Sequence, residues 1–105
     1  MRIKDGVRFS SPEMAMLLAS MVVAKVFDEY DVALTLTGGC EGRRQVVPHG
    51  FGGALDFRLN HVTISMAEAI TEEVDRRLGD GFDAVDHGEG GNYHLHVEYD
   101  PKETT

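Results

Sequence analysis

Only one cysteine, Cys40, occurs in the 105 residues, so no internal disulfide can staple the fold. Nothing therefore marks the chain as a disulfide-built secreted scaffold. Positive charge is also scarce, with 10 Lys and Arg against 18 Asp and Glu and a net charge of −8. A nucleic-acid partner needs a basic footprint, and this composition excludes one. Long apolar runs are missing too. The opening residues Met1-Arg2-Ile3-Lys4-Asp5-Gly6 lack the apolar stretch of a signal peptide, and no segment reaches membrane-span length. The expectation is a soluble protein made in the cytoplasm, with no membrane partner. The length allows one core but not a catalytic domain plus a targeting domain. Residues 1–105 are expected to form a single monomeric domain, with an N-terminal arm over 1–9 and a flexible tail over 101–105.

What is present has clear periodicity. Ser10-Ser11-Pro12-Glu13 reads as a helix start, since serine caps free N–H groups and proline suits the first turn. Met14, Leu17, Leu18, Met21, Val22 and Val26 then recur at three- and four-residue steps, which predicts a core helix over 12–29. Val32 to Thr37 alternates and predicts a strand that Gly38-Gly39 ends. Ser65-Met66-Ala67-Glu68 reads as a capping box, followed by Met66, Ile70, Val74 and Leu78 as an apolar stripe and Gly79 as a stop. Residues 82–86 predict a short strand, and 88–92 a turn into the last one. In the arm, Val7 and Phe9 are expected to dock onto the body.

Two strands carry the argument toward function. Over 53–59, Leu55, Phe57 and Leu59 fall on one face and Ala54, Asp56 and Arg58 on the other. Over 93–99, Tyr93, Leu95, Val97 and Tyr99 share one face while His94, His96 and Glu98 share the opposite one. As neighbours, these strands would bring Asp56, His94 and His96 together on an open face, with Arg58 able to pair with Glu98. The element order predicts an α+β fold, an antiparallel sheet with two helices on one face and the polar site on the other. The 38–53 stretch between strands is a long glycine-containing loop, a common home for function. It holds Arg43 and Arg44, which suit a substrate carboxylate as a guanidinium fork or a solvated surface equally.

His49, Gly52, Ala54 and Asp56 fit H-x-x-G-x-A-x-D, and His94 and His96 complete an H-x-H further on. This resembles the zinc peptidases of the D-Ala-D-Ala carboxypeptidase type, which share their fold with hedgehog signalling domains, over roughly residues 32–101. The resemblance is greatest to the small versions carried by phages and prophages. It implies zinc as cofactor, held by His49, Asp56 and His96, and peptidoglycan stem peptides as substrate. It also implies action on the cell wall after release from the cytoplasm, and it favours a carboxylate-binding role for one of Arg43 and Arg44. One branch of the relatives has an acidic base three positions before the last ligand, where this chain has Tyr93. In the His-x-His branch the first histidine stands over the reaction, which assigns catalysis to His94. Asp86 and Glu89 are fallback bases. The relatives also tend to carry a serine two residues before the metal histidine, where Val47 stands here.

Two imidazoles and a carboxylate suit zinc with one position open for water, which can lose its proton near neutral pH. The expected function is a zinc metallopeptidase, a D,D-carboxypeptidase or endolysin-like endopeptidase. The alternative is a non-catalytic metal-binding or interaction module of phage origin. His61 and His87 read as surface or loop residues, His87 being a spare ligand, and Cys40 as a small reduced thiol.

Overall fold

The computed structural model describes residues 1–7, 9, 11–38, 53–88 and 90–101. Helix α1 spans Pro12–Glu29, the interval that the periodicity predicts. The Ser11 hydroxyl accepts from the Met14 backbone N–H and Pro12 occupies the first turn. Its buried face is rotated from expectation. Ala15, Met16, Ala19, Val22, Val23, Val26 and Phe27 are buried, whereas Met14, Leu17 and Met21 are exposed. Two alanines on the inner face let the helix lie close to its neighbours, and the longer side chains are left outside. Spacing alone could not distinguish the two stripes.

Asp31 follows in the left-handed region at φ 57°, and strand β1 forms only over Leu36–Gly38. The Val32 N–H is bonded back to the Phe27 carbonyl, so the alternating stretch begins as a helix exit and joins the sheet late. Strand β2 spans Ala54–Arg58. Helix α2 spans Ile64–Leu78 and is capped by Thr63, whose hydroxyl accepts from the Met66 N–H. The cap lies two residues before the expected Ser65. Ala67, Ile70, Thr71, Val74 and Leu78 are buried on this helix, and Gly79 closes it at φ +83°. Strand β3 spans Phe82–His87, a short 3-10 turn covers Gly90–Asn92, and strand β4 spans His94–Tyr99.

The four strands form one antiparallel sheet in the order β1-β2-β4-β3. Both helices join the core on one face, where Phe57, Phe82, Ala84, Leu95, Val97 and Tyr99 meet the helix residues. This is the expected α+β arrangement. Phe9 docks as the sequence suggests, with edge-on ring contacts to Phe82 and Tyr99. Val7 stays exposed. Ile3 ties the arm down instead, its N–H bonded to the Arg77 carbonyl. No described helix is long and apolar enough to cross a membrane. The tail beyond Pro101 lies outside the described residues.

Candidate functional site

The register of the sheet decides which polar side chains meet. Residues paired directly across antiparallel strands point to the same face, so β2, β4 and β3 display three rows opposite the helices. The middle row is Asp56, His96 and Val85. On one side of it stand Arg58, His94 and His87, and on the other Ala54, Glu98 and Asp83. The two strands are neighbours, as the convergence of Asp56, His94 and His96 requires. Arg58, however, faces His94 while Glu98 faces Ala54. The expected Arg58–Glu98 pair is excluded by this register, which sets them four residues apart along the strands, about 13 Å.

Asp56 is the centre of the cluster. It is 8% exposed, and one carboxylate oxygen, Oδ1, stands 2.8 Å from His96 Nδ1 and 3.8 Å from His94 Nε2. Its burial departs from the open face that strand alternation suggests. Gly38 of β1 pairs with Asp56 from the other side, and a Cβ on that glycine would lie 3.0 Å from Asp56 Oδ2. A bare backbone position therefore flanks the carboxylate, and Thr37 donates its hydroxyl to the Asp56 carbonyl at 3.4 Å.

Each histidine is held at its far nitrogen. His94 Nδ1 lies 2.8 Å from the Asn92 carbonyl, which can only accept, so this nitrogen carries the proton and Nε2 is left with a lone pair toward Asp56 in the neutral ring. The ring also stacks on His87, with centroids 5.4 Å apart and planes 13° from parallel. His96 Nε2 lies 3.1 Å from Glu98 Oε1. Because ionised carboxylates only accept, holding Asp56 and Glu98 together takes a proton on both nitrogens of His96. Gly88, at φ +89°, follows His87, and its close approach to the Asn92 carbonyl leaves no room for a Cβ.

Not all the expected residues enter this cluster. His49, Arg43, Arg44, Cys40 and Glu89 lie outside the described residues. Asp86 is placed away from it. It pairs with Leu95 on the helix-side face and accepts a hydrogen bond from the Tyr93 hydroxyl. Burial, with Asp86 beside it, pushes the Tyr93 phenol up to about 12. Asp86 is thus no fallback base for a reaction at Asp56. His61 is a surface residue, with Nε2 3.0 Å from the Ala33 carbonyl. Sequence reasoning missed Glu98 as the partner of His96 and His87 as the stacking partner of His94. Alternation put Glu98 on the right face, but only the register tells which neighbour it meets.

Among the described residues no group of three His, Cys, Asp or Glu side chains is arranged to hold a metal ion. Asp56 and His96 supply two donors of the types zinc prefers, on rigid neighbouring strands. To bind a metal His96 would have to give up its Nδ1 hydrogen bond to Asp56, while Nε2 stays held by Glu98, as is usual for a metal-binding imidazole. Compared with protein-family models, with characterised proteins and with solved structures, the chain matches none.

Proposed function

We propose that the chain is a zinc-dependent metallopeptidase acting on peptidoglycan stem peptides, with His49, Asp56 and His96 as metal ligands and His94 as the catalytic base. The observation that carries this reading is that one oxygen of a buried carboxylate is approached by nitrogens of both histidines, at 2.8 and 3.8 Å. Such a carboxylate with adjacent imidazoles is the donor set of a hydrolytic zinc centre. His49 is five residues from Ala54, so chain length alone keeps it within about 18 Å of the start of β2.

When bound, the ion would polarise the scissile carbonyl and acidify water. The protein's own part follows from the tautomers. His94 Nε2 takes the proton of the attacking water as the oxygen–carbon bond forms, and returns it to the amine nitrogen as the carbon–nitrogen bond breaks. The Asn92 carbonyl and the His87 ring keep that nitrogen aimed at the site throughout. Glu98 holds His96 at Nε2, which leaves Nδ1, the nitrogen nearest Asp56, as the one that would bind the ion once it gives up its proton. The enzyme would meet the cell wall after release from the cytoplasm. A metal-binding module without turnover is the second reading. It is favoured by Tyr93, which stands where one branch of the resembling enzymes has an acid and whose hydroxyl is committed to Asp86.

The test is native mass spectrometry with elemental analysis on the wild type, His49→Ala and Asp56→Ala. One zinc per chain, lost in both variants, is the expected result, and release of D-Ala from stem peptides that disappears in His94→Ala would then assign catalysis. A wild type that takes up no zinc overturns both metal readings.

A further inference from the structure

At one end of the sheet, two chain connections enclose a cleft of about 310 Å³. Asn60, Val62 and Ile64 line it from the link between β2 and α2, and Gly88, Gly90 and Tyr93 line it from the turn between β3 and β4. The Asn60 side-chain amide donates to the Gly91 carbonyl at 2.7 Å, so the two walls are tied to each other. The volume lies at the small end of the range for ligand sites. Val62 and Tyr93 pack partly against the core, but Ile64 is 67% exposed, the most of any large apolar side chain described. Apolar area is therefore left open at this cleft.

The Tyr93 wall is negative. Its hydroxyl donates to Asp86, which faces the helix side of the sheet from β3. Glu68 follows Ile64 by four residues on α2, which puts both on one side of the helix. Burial, the hydrogen bond and charge of Asp86, and the charge of Glu68 together push the Tyr93 phenol up to about 12. Surroundings whose charges disfavour a phenolate favour a cation at the same place. The Tyr93 hydroxyl occupies Oδ2 of Asp86, and a carboxylate keeps further lone pairs for a second donor. An apolar cleft that is negative at one end is complementary to a side chain with an apolar stem and a positive tip. Lysine is such a side chain, with four methylenes and three donors on its ammonium.

We propose that the cleft is a second binding site, distinct from the candidate zinc site, that takes the lysine side chain of a peptide, with its methylenes on Val62, Ile64 and Tyr93 and its ammonium toward Asp86 and Glu68. The site stands apart from the peptidase reading, because none of these residues belongs to the metal donors or to the proton transfer at His94. It is tested by NMR titration of the chelator-treated full chain with acetyl-Ala-Lys-Ala-amide, and with the same peptide carrying norleucine or Nε-acetyl-lysine in the middle. The lysine peptide is expected to shift the backbone amides of Ile64, Gly88 and Gly90. It should bind about tenfold more tightly than either neutral peptide, as one charge-assisted pair implies. Glu68→Gln and Asp86→Asn should each remove part of that preference, and the double variant should abolish it. Glu13→Gln, on the first turn of α1, should leave it intact. Ile64→Ser should weaken all three peptides alike, and at so exposed a position the fold should persist.

Equal affinity for the lysine and norleucine peptides on the wild type overturns the proposal without recourse to any variant. So does a lysine peptide that leaves those three amides unmoved, or a preference that survives loss of both carboxylates. A preference that falls as far in Glu13→Gln as in Glu68→Gln reports only the net charge of −8 and overturns it too. The same binding is expected with and without zinc, so this site and the metal readings fail separately.

Discussion

Strand β4 has two sides, and they do different work. Leu95, Val97 and Tyr99 are buried against the helices, while His94, His96 and Glu98 alternate with them on the opposite face. The helix side is held by apolar area, which is non-directional and adds up over the core residues of both helices. The histidine side is held by directed contacts centred on Asp56, whose strength depends on distance and angle. One six-residue segment therefore carries a robust function and a fragile one, and substitutions one position apart should separate them.

The largest effect is expected from Leu95→Ala. Leu95 is fully buried, and truncation should cost about 2–5 kcal/mol in a denaturant melt. His96→Asn, one residue on, should cost the unliganded protein only about 1 kcal/mol, since a partly buried hydrogen-bonding group replaces another. Under the metal reading the gap between the two closes when zinc is present. Saturation at 100 times the dissociation constant adds about 2.7 kcal/mol to a protein that binds only when folded. The wild type should gain this and His96→Asn should not. Equal gains in both proteins would show that His96 is no ligand.

Gly38→Ala tests how closely the carboxylate is confined. The added methyl would meet Asp56 Oδ2 at 3.0 Å on a short edge strand whose other residues are exposed, so the fold should survive with a loss of about 1 kcal/mol. Zinc affinity should fall further than stability does, because Asp56 must move to make room. If affinity is unchanged while stability drops, the contact belongs to the sheet and not to the site.

How far the sequence reveals these two sides follows from the physics of each. Alternation in 53–59 and 93–99 separates the faces, because a strand's period of two leaves little choice once Leu95 and Val97 must be inside. Helix α1 is legible in extent, through Ser11 and Pro12, but not in rotation. Its alanines are buried because they are small, a packing property that hydrophobic spacing does not weigh. Pairing across strands is not legible at all without register. Arg58 can reach Glu98 on paper, yet the antiparallel order of β2 and β4 gives it His94. The same register turns His87 from a loop residue into the wall behind His94. Asp86 shows the reverse error, a carboxylate near the site in sequence that faces the helices in space.

The smallest effect concerns a charged cluster on the helix side. Glu73 accepts from Arg76 and Arg77, and Arg77 continues to Glu29 on α1, so this group links the two helices. The Arg76 and Arg77 guanidiniums hold the Glu73 carboxyl down at about 2, from an ordinary value of 4.5. A carboxyl whose folded pKa is depressed contributes stability that is fully present above the unfolded value and is lost as pH falls toward the folded one. The loss attributable to Glu73 should accordingly run from about pH 4.5 down to about 2. Thermal melts of the wild type and Glu73→Gln should differ modestly at neutral pH and converge through that window, because solvent-exposed arginine pairs are strongly screened. Zinc binding measured at neutral pH should not distinguish them, since the cluster lies across the sheet from Asp56. A Glu73→Gln protein that lost zinc without losing stability would mean that the two sides are coupled through the core, and the separation argued from β4 would fail.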